Sequence, residues 1–332
     1  MSAASPPIPP FRPRVFLLSL LAALPLVLCQ CGSIPGPGPT EAQVAARLQG
    51  RESATFPAPD GRPLAYVAFK PKHLNSRRAA FIYLHGIESH SGWFDEAARQ
   101  LADKGYPVFS TDRRGSGINR ENRGFVSGHV DRGTRLVDDV HRAVVLTRES
   151  GKFDEIYLIG LSWGGKYAMA YDAAYPNDVD GLVLITPGMK PRIDLGVGQK
   201  LGVLIDSVLA PQRQHPTPIE PAMFTTTPVH LDYIVNDPLR LTTVSAAFLM
   251  QSTRMDRAIR KLDDGPHPPI LTFLAGKDRI IDNEATRKLV TRNPARNVTI
   301  IDYEDQTHSI QLDAPGRMTR DIVKWIESLP RS

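Results

Sequence analysis

Three polar side chains in this 332-residue sequence have the types and the chain order that nucleophilic catalysis requires. Ser162 lies in Gly160-Leu-Ser-Trp-Gly164, which matches the pattern G-x-S-x-G. In that pattern the serine occupies a sharp turn between a strand and a helix, and its hydroxyl is exposed. Glycines flank the turn because a Cβ would clash with the neighbouring strand and helix. The motif predicts a serine nucleophile, which needs a general base and an acid that orients the base.

The base and the acid are identified by their order along the chain. On a sheet that carries such a serine, the order is serine, acid, histidine. Asp278 follows the apolar segment 271–275, and His308, the last of nine histidines, follows the segment 298–303. Both residues are therefore expected at the carboxyl edge of the sheet, where open α/β folds place their sites. The sequence predicts a triad of Ser162, Asp278 and His308.

Each member of this triad also has a simpler interpretation. Ser162 alone is compatible with a plain glycine-rich turn, Asp278 with a helix cap, and His308 with a solvated loop residue. The three together in the right order favour the triad. Asp282 is the alternative acid, although it is better suited to cap the helix that follows. Asp305 is too close to His308 in the sequence to be preferred.

The serine segment also partly matches a nucleotide-binding loop. Gly160, Gly165 and Lys166 have the spacing of a P-loop. A P-loop continues with a serine or threonine that places a hydroxyl on magnesium. Tyr167 occupies that position and is too long and rigid for the role. The sequence therefore disfavours nucleotide binding.

Two backbone amides are candidates for stabilising an oxyanion. Trp163 follows the serine at the start of a predicted helix, so its N–H would point at the developing charge. Ile87 lies in His85-Gly86-Ile87, directly after the apolar run 79–84, where the second donor is expected. His85 precedes the acid in the chain, so we expect it to be a packed residue and not the base.

Apolar runs and amphipathic segments alternate along the chain and would position these residues. Strands are expected at 64–69, 79–84, 106–110, 156–160, 183–185, 269–274 and 298–303. Helices are expected at 41–50, 92–104, 130–149, 163–175 and 317–329. This alternation predicts a mostly parallel sheet with helices on both faces. About 80 residues between the strands at 183–185 and 269–274 indicate an inserted subdomain, with a helix formed by apolar residues between Leu241 and Leu262.

The N-terminal segment has the layout of a secretory signal. Two arginines precede the apolar stretch Val15–Leu28, which is too short to span a membrane. We expect residues 1–31 to be a signal peptide and residues 32–50 a Pro/Gly-rich tether. Either ordinary cleavage releases the protein, or a lipoprotein signal leaves Cys29 or Cys31 acylated at a membrane surface. The expected location is the bacterial periplasm or a membrane facing outside the cytoplasm.

Composition excludes several classes of protein. The chain is 42% hydrophobic and 23% charged, which argues against a disordered or fibrous protein. The net charge is 40 − 35 = +5, too small and too scattered for a nucleic-acid-binding surface. Both cysteines precede residue 32, so the rest of the chain contains no disulfide, cysteine nucleophile or cysteine-based metal site. No HExxH motif is present, and we expect neither a metal nor an organic cofactor.

Several motifs in order resemble one family. The segment His85-Gly-Ile-Glu-Ser-His-Ser-Gly92 is similar to the HGxGEHSG segment of the monoacylglycerol lipase and lysophospholipase-like α/β-hydrolases, also called the hydrolase-4 or serine aminopeptidase S33 type. Two positions depart, since Glu88 replaces a glycine and Ser89 a glutamate. Further similar segments are Asp112-Arg-Arg-Gly-Ser-Gly117, Asn236-Asp-Pro-Leu239 and Asp278-Arg-Ile-Ile-Asp282.

The resemblance implies an α/β-hydrolase fold, with a core of residues 51–188 and 263–332 and a cap of residues 189–262. It implies a serine hydrolase that cleaves monoacylglycerol-like, lysophospholipid-like or other acyl esters through an acyl-enzyme. The apolar residues of the cap either contact an acyl chain or pack the cap on the core. The alternatives are a peptidase, thioesterase or acyltransferase of the same fold, or a tethered lipid-binding protein without catalysis. The sequence does not indicate an oligomeric state.

Overall fold

A computed structural model describes residues 38–262 and 265–331 of the chain. Its strands are β1 (Glu52–Pro57), β2 (Pro63–Phe69), β3 (Ala79–Leu84), β4 (Val108–Thr111), β5 (Glu155–Leu161), β6 (Gly181–Ile185), β7 (Gln214–Pro216), β8 (Thr243–Ser245), β9 (Ile270–Ala275) and β10 (Val298–Tyr303). Its α-helices are α1 (Glu41–Leu48), α2 (Asp95–Asp103), α3 (Gly133–Glu149), α4 (Trp163–Ala174), α5 (Val197–Leu209), α6 (Pro221–Phe224), α7 (Pro228–Val235), α8 (Ala246–Arg260), α9 (Asn283–Val290), α10 (Ile310–Asp313) and α11 (Pro315–Ser328).

The central sheet has eight strands in the order β1-β2-β4-β3-β5-β6-β9-β10. Only β2 runs against its neighbours, because β1 and β4 both pair with it antiparallel and the remaining pairs are parallel. The carboxyl ends of β3, β5, β9 and β10 therefore lie at one edge. The prediction of a mostly parallel sheet surrounded by helices is confirmed.

The sheet is covered on both faces. Strand β3 is buried at every position, as expected for a continuous apolar run inside a parallel sheet. Phe81 and Tyr83 belong to the hydrophobic cluster that contains Leu101 of α2 and Trp325 of α11. Ile82 and Leu84 belong to a second cluster, which contains residues of α3, α4 and α8. Successive side chains of β3 thus point to opposite faces of the sheet and pack against different layers of helices.

Strand β1 and helix α8 are two of the elements that differ from the sequence-based expectation. Strand β1 was not predicted, since it is a largely exposed edge strand, half of whose residues are polar, and it lacks an apolar pattern. Helix α8 begins at Ala246 and not near Leu241, because Ser245 caps it by accepting a hydrogen bond from the Phe248 amide. Val244, which continues the apolar spacing, lies instead in β8, paired with β7.

The helix expected at 41–50 is confirmed as α1, and its Arg47 forms an ion pair with Asp95 at 3.0 Å. The signal peptide expected at 1–31 lies outside the described residues, and so do residues 32–37 of the expected tether. Between β6 and β9 the chain forms α5 to α8 and the β7–β8 ribbon. We call residues 189–262 the insertion.

Candidate active site

Ser162 lies on the turn between β5 and α4, as the motif predicts. Its backbone has φ 52° and ψ −119°, a left-handed conformation that is strained for a residue with a Cβ. A Cβ on Gly160 would overlap the Gly164 carbonyl, and one on Gly164 would overlap the Leu84 carbonyl of β3. The two glycines therefore permit the tight contact between β5, α4 and β3 that holds the serine at the sheet edge.

The structure brings Asp278 and His308 together. Asp278 follows β9 and His308 follows β10, and the Asp278 Oδ2 to His308 Nδ1 distance is 2.8 Å. Both side chains are buried. The other carboxylate oxygen of Asp278 accepts hydrogen bonds from the amides of Ile280 (2.8 Å) and Ile281 (2.9 Å). These bonds fix the carboxylate, which in turn fixes the orientation of the imidazole ring.

His308 and Ser162 line the same small cavity. The His308 Nε2 atom is buried and has no hydrogen-bond partner among the described residues. Buried polar atoms normally have partners, so an unpartnered Nε2 is available to a nearby hydroxyl or a substrate. The cavity has about 10 Å³ of free space, enough for roughly one water molecule.

The two predicted oxyanion donors belong to segments next to Ser162, since Trp163 follows it in the chain and Ile87 lines the same cavity. Trp163 is the first residue of α4, so its amide has no partner within the helix. Ile87 follows β3 in a tight loop, in which the Gly86 amide donates to Ser89 Oγ at 2.9 Å. Gly86 and Ile87 line the cavity together with Ser162. The Ile87 amide donates no hydrogen bond within the part of the chain that the structure describes.

The residues that the sequence set aside have structural roles. His85 is buried, and its Nε2 accepts a hydrogen bond from the Arg113 amide at 3.2 Å. Burial, together with the charge of Arg113, lowers the pKa of His85 to about 3. Asp282 caps α9 by accepting from the Ala285 amide at 3.0 Å. Lys166 forms an ion pair with Asp256 of α8 at 3.0 Å, so it is not directed at a phosphate.

The insertion is attached to the loops around the cavity. Arg240 donates to Glu88 Oε2 at 2.8 and 2.6 Å, and Thr217 donates to the other oxygen of Glu88. The insertion also contacts the loop after β10, where the Ser309 amide donates to the Phe224 carbonyl at 2.8 Å and the Phe224 ring lies 5.9 Å from the His308 ring. Sequence reasoning missed these contacts because the partners are far apart in the chain.

The insertion also exposes an apolar helix face. Leu201, Leu204 and Val208 recur at helical spacing along α5 and are exposed, Val208 at 76%. They therefore do not pack the insertion on the core. In contrast, Phe248 and Met255 of α8 are buried in the second core cluster. The apolar residues of the insertion thus divide into a packing set and an exposed set.

Within residues 38–262 and 265–331, no helix combines the length and the apolar character needed to cross a membrane. That part of the chain also contains no group of three or more His, Cys, Asp or Glu side chains arranged to hold a metal ion.

Similar proteins carry the same architecture. The chain is 26% identical to human monoglyceride lipase over 80% of its length and 88% of the relative, and 22% identical to monoacylglycerol lipase of Mycolicibacterium smegmatis over 84% and 98%. A soluble variant of monoglyceride lipase from Saccharomyces cerevisiae, solved with a substrate analogue, superposes with a TM-score of 0.69 at 16% identity, covering 83% of this chain and 94% of that chain.

The family match extends over most of the chain. Residues 75–315 match the family described as serine aminopeptidase, S33, and include Ser162, Asp278 and His308. The predictions of an α/β-hydrolase fold and of a serine hydrolase are confirmed. The chain belongs to the serine aminopeptidase S33 family of α/β-hydrolases.

Proposed function

We propose that this protein hydrolyses carboxylic esters of the monoacylglycerol or lysophospholipid class, and that Ser162, His308 and Asp278 are its catalytic triad. The observation that carries the proposal is the buried Asp278–His308 pair, whose unpartnered Nε2 lies at the cavity that Ser162 lines. No hydrogen bond joins Ser162 to His308 within the described residues. Such bonds are often long in unliganded enzymes and shorten when substrate binds.

The reaction proceeds in two steps. Ser162 Oγ attacks the ester carbonyl carbon while His308 Nε2 takes the hydroxyl proton. The tetrahedral oxyanion accepts hydrogen bonds from the Ile87 and Trp163 amides. His308 then protonates the leaving alcohol, and an acyl-enzyme remains. Water attacks the acyl-enzyme with His308 as the base, which releases the carboxylic acid and regenerates Ser162.

Asp278 acts through His308. A histidine whose Nδ1–H donates to a carboxylate presents an unprotonated Nε2 to the serine, which is the tautomer that a general base needs. The carboxylate also stabilises the imidazolium that forms after proton transfer. Asp278 retains its own fixed orientation through the Ile280 and Ile281 amides.

Two observations support an acyl lipid as substrate. Relatives of similar length are named as monoglyceride and monoacylglycerol lipases. The exposed face of α5, with Leu201, Leu204 and Val208, gives the insertion an apolar surface that can meet an acyl chain. The free space of about 10 Å³ at Ser162 is too small for such a substrate, so we infer that the insertion acts as a cap that moves to admit it.

An aminopeptidase is the second candidate, because the family is named for that activity. Such an enzyme needs an anionic group to bind the substrate's terminal ammonium. Among the described residues that line the cavity, Glu88 is the one carboxylate. One of its oxygens accepts a hydrogen bond from Thr217, and the other accepts from Arg240. This pairing favours uncharged esters over peptides with a free amino terminus.

The test is a substrate panel with the purified protein. We expect turnover of p-nitrophenyl esters from butyrate to palmitate, of 1-monoacylglycerol and of lysophosphatidylcholine. We expect no more than about 1% of that rate on alanine p-nitroanilide, because a less reactive amide also lacks an anionic partner for its ammonium. Faster turnover of the anilide than of every ester would contradict the proposal and favour the peptidase.

A further inference from the structure

A buried arginine lies beneath the loop that carries Ile87. Arg113 follows β4 and is 6% exposed. Within residues 38–262 and 265–331, no carboxylate forms an ion pair with it. Its neighbour Arg114, by contrast, pairs with both Asp60 (2.8 Å) and Asp139 (2.5 Å). Burying a cation without an anion is costly unless its donors find other partners. The burial lowers the pKa of Arg113 to about 9.

The donors of Arg113 are directed at two successive carbonyl groups. Its Nη1 donates to the Gly86 carbonyl oxygen at 2.7 Å, and its Nη2 donates to the Ile87 carbonyl oxygen at 2.5 Å. The planar guanidinium can make both bonds at once because its N–H groups have a fixed fork geometry. Arg113 thereby fixes the orientation of two peptide units in the loop.

One of these peptide units contains the proposed oxyanion donor. The Gly86 carbonyl and the Ile87 N–H belong to the same planar peptide, in which a trans arrangement directs them to opposite sides. A bond that holds the Gly86 oxygen toward Arg113 therefore directs the Ile87 N–H away from Arg113. A hydrogen bond to the carbonyl also polarises the amide and strengthens its N–H as a donor. Gly86 lies close to Ser162, since a Cβ on Gly86 would be 3.3 Å from the Ser162 Cβ.

The same guanidinium contacts the second proposed donor residue. Its central carbon lies 5.1 Å from the ring centroid of Trp163 and 5.1 Å from that of Phe248 in α8. These are distances at which a cation is attracted to an aromatic face. One side chain thus connects the Ile87 loop, the start of α4 and the insertion.

We propose that Arg113 is the positioning residue of the oxyanion site: it holds the Gly86–Ile87 peptide so that the Ile87 amide points at the substrate oxyanion, and it places a positive charge behind that amide. This inference rests on the proposed function. His85 assists, since its Nδ1 lies 2.9 Å from the same Gly86 oxygen. Loss of Arg113 therefore weakens the oxyanion site without abolishing it.

The test begins with the unmodified full chain and Ser162→Ala on p-nitrophenyl butyrate. Absence of turnover by the unmodified protein would contradict the proposed function itself. With turnover established, kcat, KM and the affinity for a butylboronic acid are measured for Arg113→Met and Arg113→Lys. The boronic acid forms a tetrahedral adduct with the serine and so reports on the oxyanion site. Arg114→Lys, which keeps the neighbouring charge, is the matched control.

Removal of a whole oxyanion donor costs about 10²–10³ in kcat, and Arg113 acts on a donor that His85 still supports. We therefore expect Arg113→Met to lower kcat by about 10- to 100-fold, with KM within about threefold and with a parallel loss of boronate affinity. Arg113→Lys keeps the charge but loses the fork, so a fall of at least about fivefold is expected. Arg114→Lys should retain kcat within about twofold.

A folded Arg113→Met protein with unchanged kcat and boronate affinity would overturn the proposal. If Arg113→Met does not fold, Arg113→Lys decides. Unchanged kcat in Arg113→Lys, or a loss of thermal stability with no loss of boronate affinity, would show that the residue is structural only.

Discussion

Asp278 and Asp282 are four residues apart and have different roles, which makes them a matched pair. Asp278 accepts from His308 Nδ1, and Asp282 caps α9. We expect Asp278→Asn to lower kcat by about 10⁴, because the amide cannot hold the required histidine tautomer. Asp282→Asn should retain both activity and stability, since asparagine caps a helix as well as aspartate does. Steady-state kinetics of both variants check this, and equal losses would contradict the assignment of the acid.

His85 contributes to the change of the protein's stability at acid pH. Its pKa is lowered to about 3 in the folded protein, from an ordinary value of 6.5. Between these values the unfolded chain binds more protons, so the free energy of unfolding rises with pH there and falls as the pH drops from about 6.5 toward 3. The contribution of one such group is about 1.4 kcal/mol per pH unit.

Replacement of His85 therefore changes the pH dependence of stability. The free energy of unfolding in urea is measured at pH 5 and pH 7 for the unmodified protein, for His85→Gln and for the exposed His73→Gln. We expect the difference between the two pH values to shrink by about 2 kcal/mol in His85→Gln and to stay unchanged in His73→Gln. An equal pH dependence in all three proteins would show that His85 is not buried in its neutral form.

At the scale of elements, the ion pair between Glu88 and Arg240 joins the loop after β3 to the insertion. Burial of Glu88 raises the pKa of its carboxyl, while Thr217 and Arg240 act in the opposite direction. Removing one partner of a buried pair leaves an uncompensated charge and costs about 3–5 kcal/mol. We expect Glu88→Gln to destabilise the protein by about that amount and to make the insertion more sensitive to limited proteolysis.

The exposed pair of Glu96 and Arg99 provides the control for that experiment. Surface pairs contribute about 0–1 kcal/mol, so Glu96→Gln should leave the urea midpoint nearly unchanged. If Glu88→Gln behaves like Glu96→Gln, the ion pair does not hold the insertion in place.

The elements differ in how far the sequence predicts them. Strand β3 and the turn at Ser162 are specified by neighbouring residues: an apolar run predicts the strand, and a glycine pattern predicts the turn. Strand β1 depends on pairing with β2, which its polar residues do not signal. The start of α8 depends on one serine cap and on the β7–β8 ribbon, although the apolar period continues before it.

The features of the candidate active site also differ in how far the sequence predicts them. The order of Ser162, Asp278 and His308 could be read from motifs because each follows a recognisable strand. The bond from Arg113 to the Gly86 carbonyl and the pair of Glu88 with Arg240 could not, since 27 and 152 residues separate the partners. Contacts of this kind are set by tertiary packing, and neither composition nor spacing specifies them.

At the scale of the whole molecule, the described part of the chain begins at residue 38, close to the expected export signal. Helix α1 is the first described element and is held to the core through Arg47 and Asp95. We therefore expect removal of residues 1–31 to leave ester hydrolysis unchanged. In a Gram-negative host the full chain should be recovered outside the cytoplasm in a shortened form, whereas the truncated chain should remain inside.

Cell fractionation and N-terminal mass analysis test that expectation. A new terminus near Ser33 indicates release, and an acylated Cys29 or Cys31 at the terminus indicates anchoring. A chain that stays in the cytoplasm with residues 1–31 intact would contradict export.

The central claim is that Ser162 is a nucleophile activated by His308, and covalent labelling measures this most directly. The full chain is incubated with a fluorophosphonate, and the modified residue is located by mass spectrometry, alongside Ser162→Ala and His308→Ala. We predict one adduct on Ser162 in the unmodified protein, none in Ser162→Ala and slow labelling in His308→Ala, each paralleled by the rate of ester hydrolysis. Ester hydrolysis that persists in folded Ser162→Ala, or an adduct on another residue, would contradict the account.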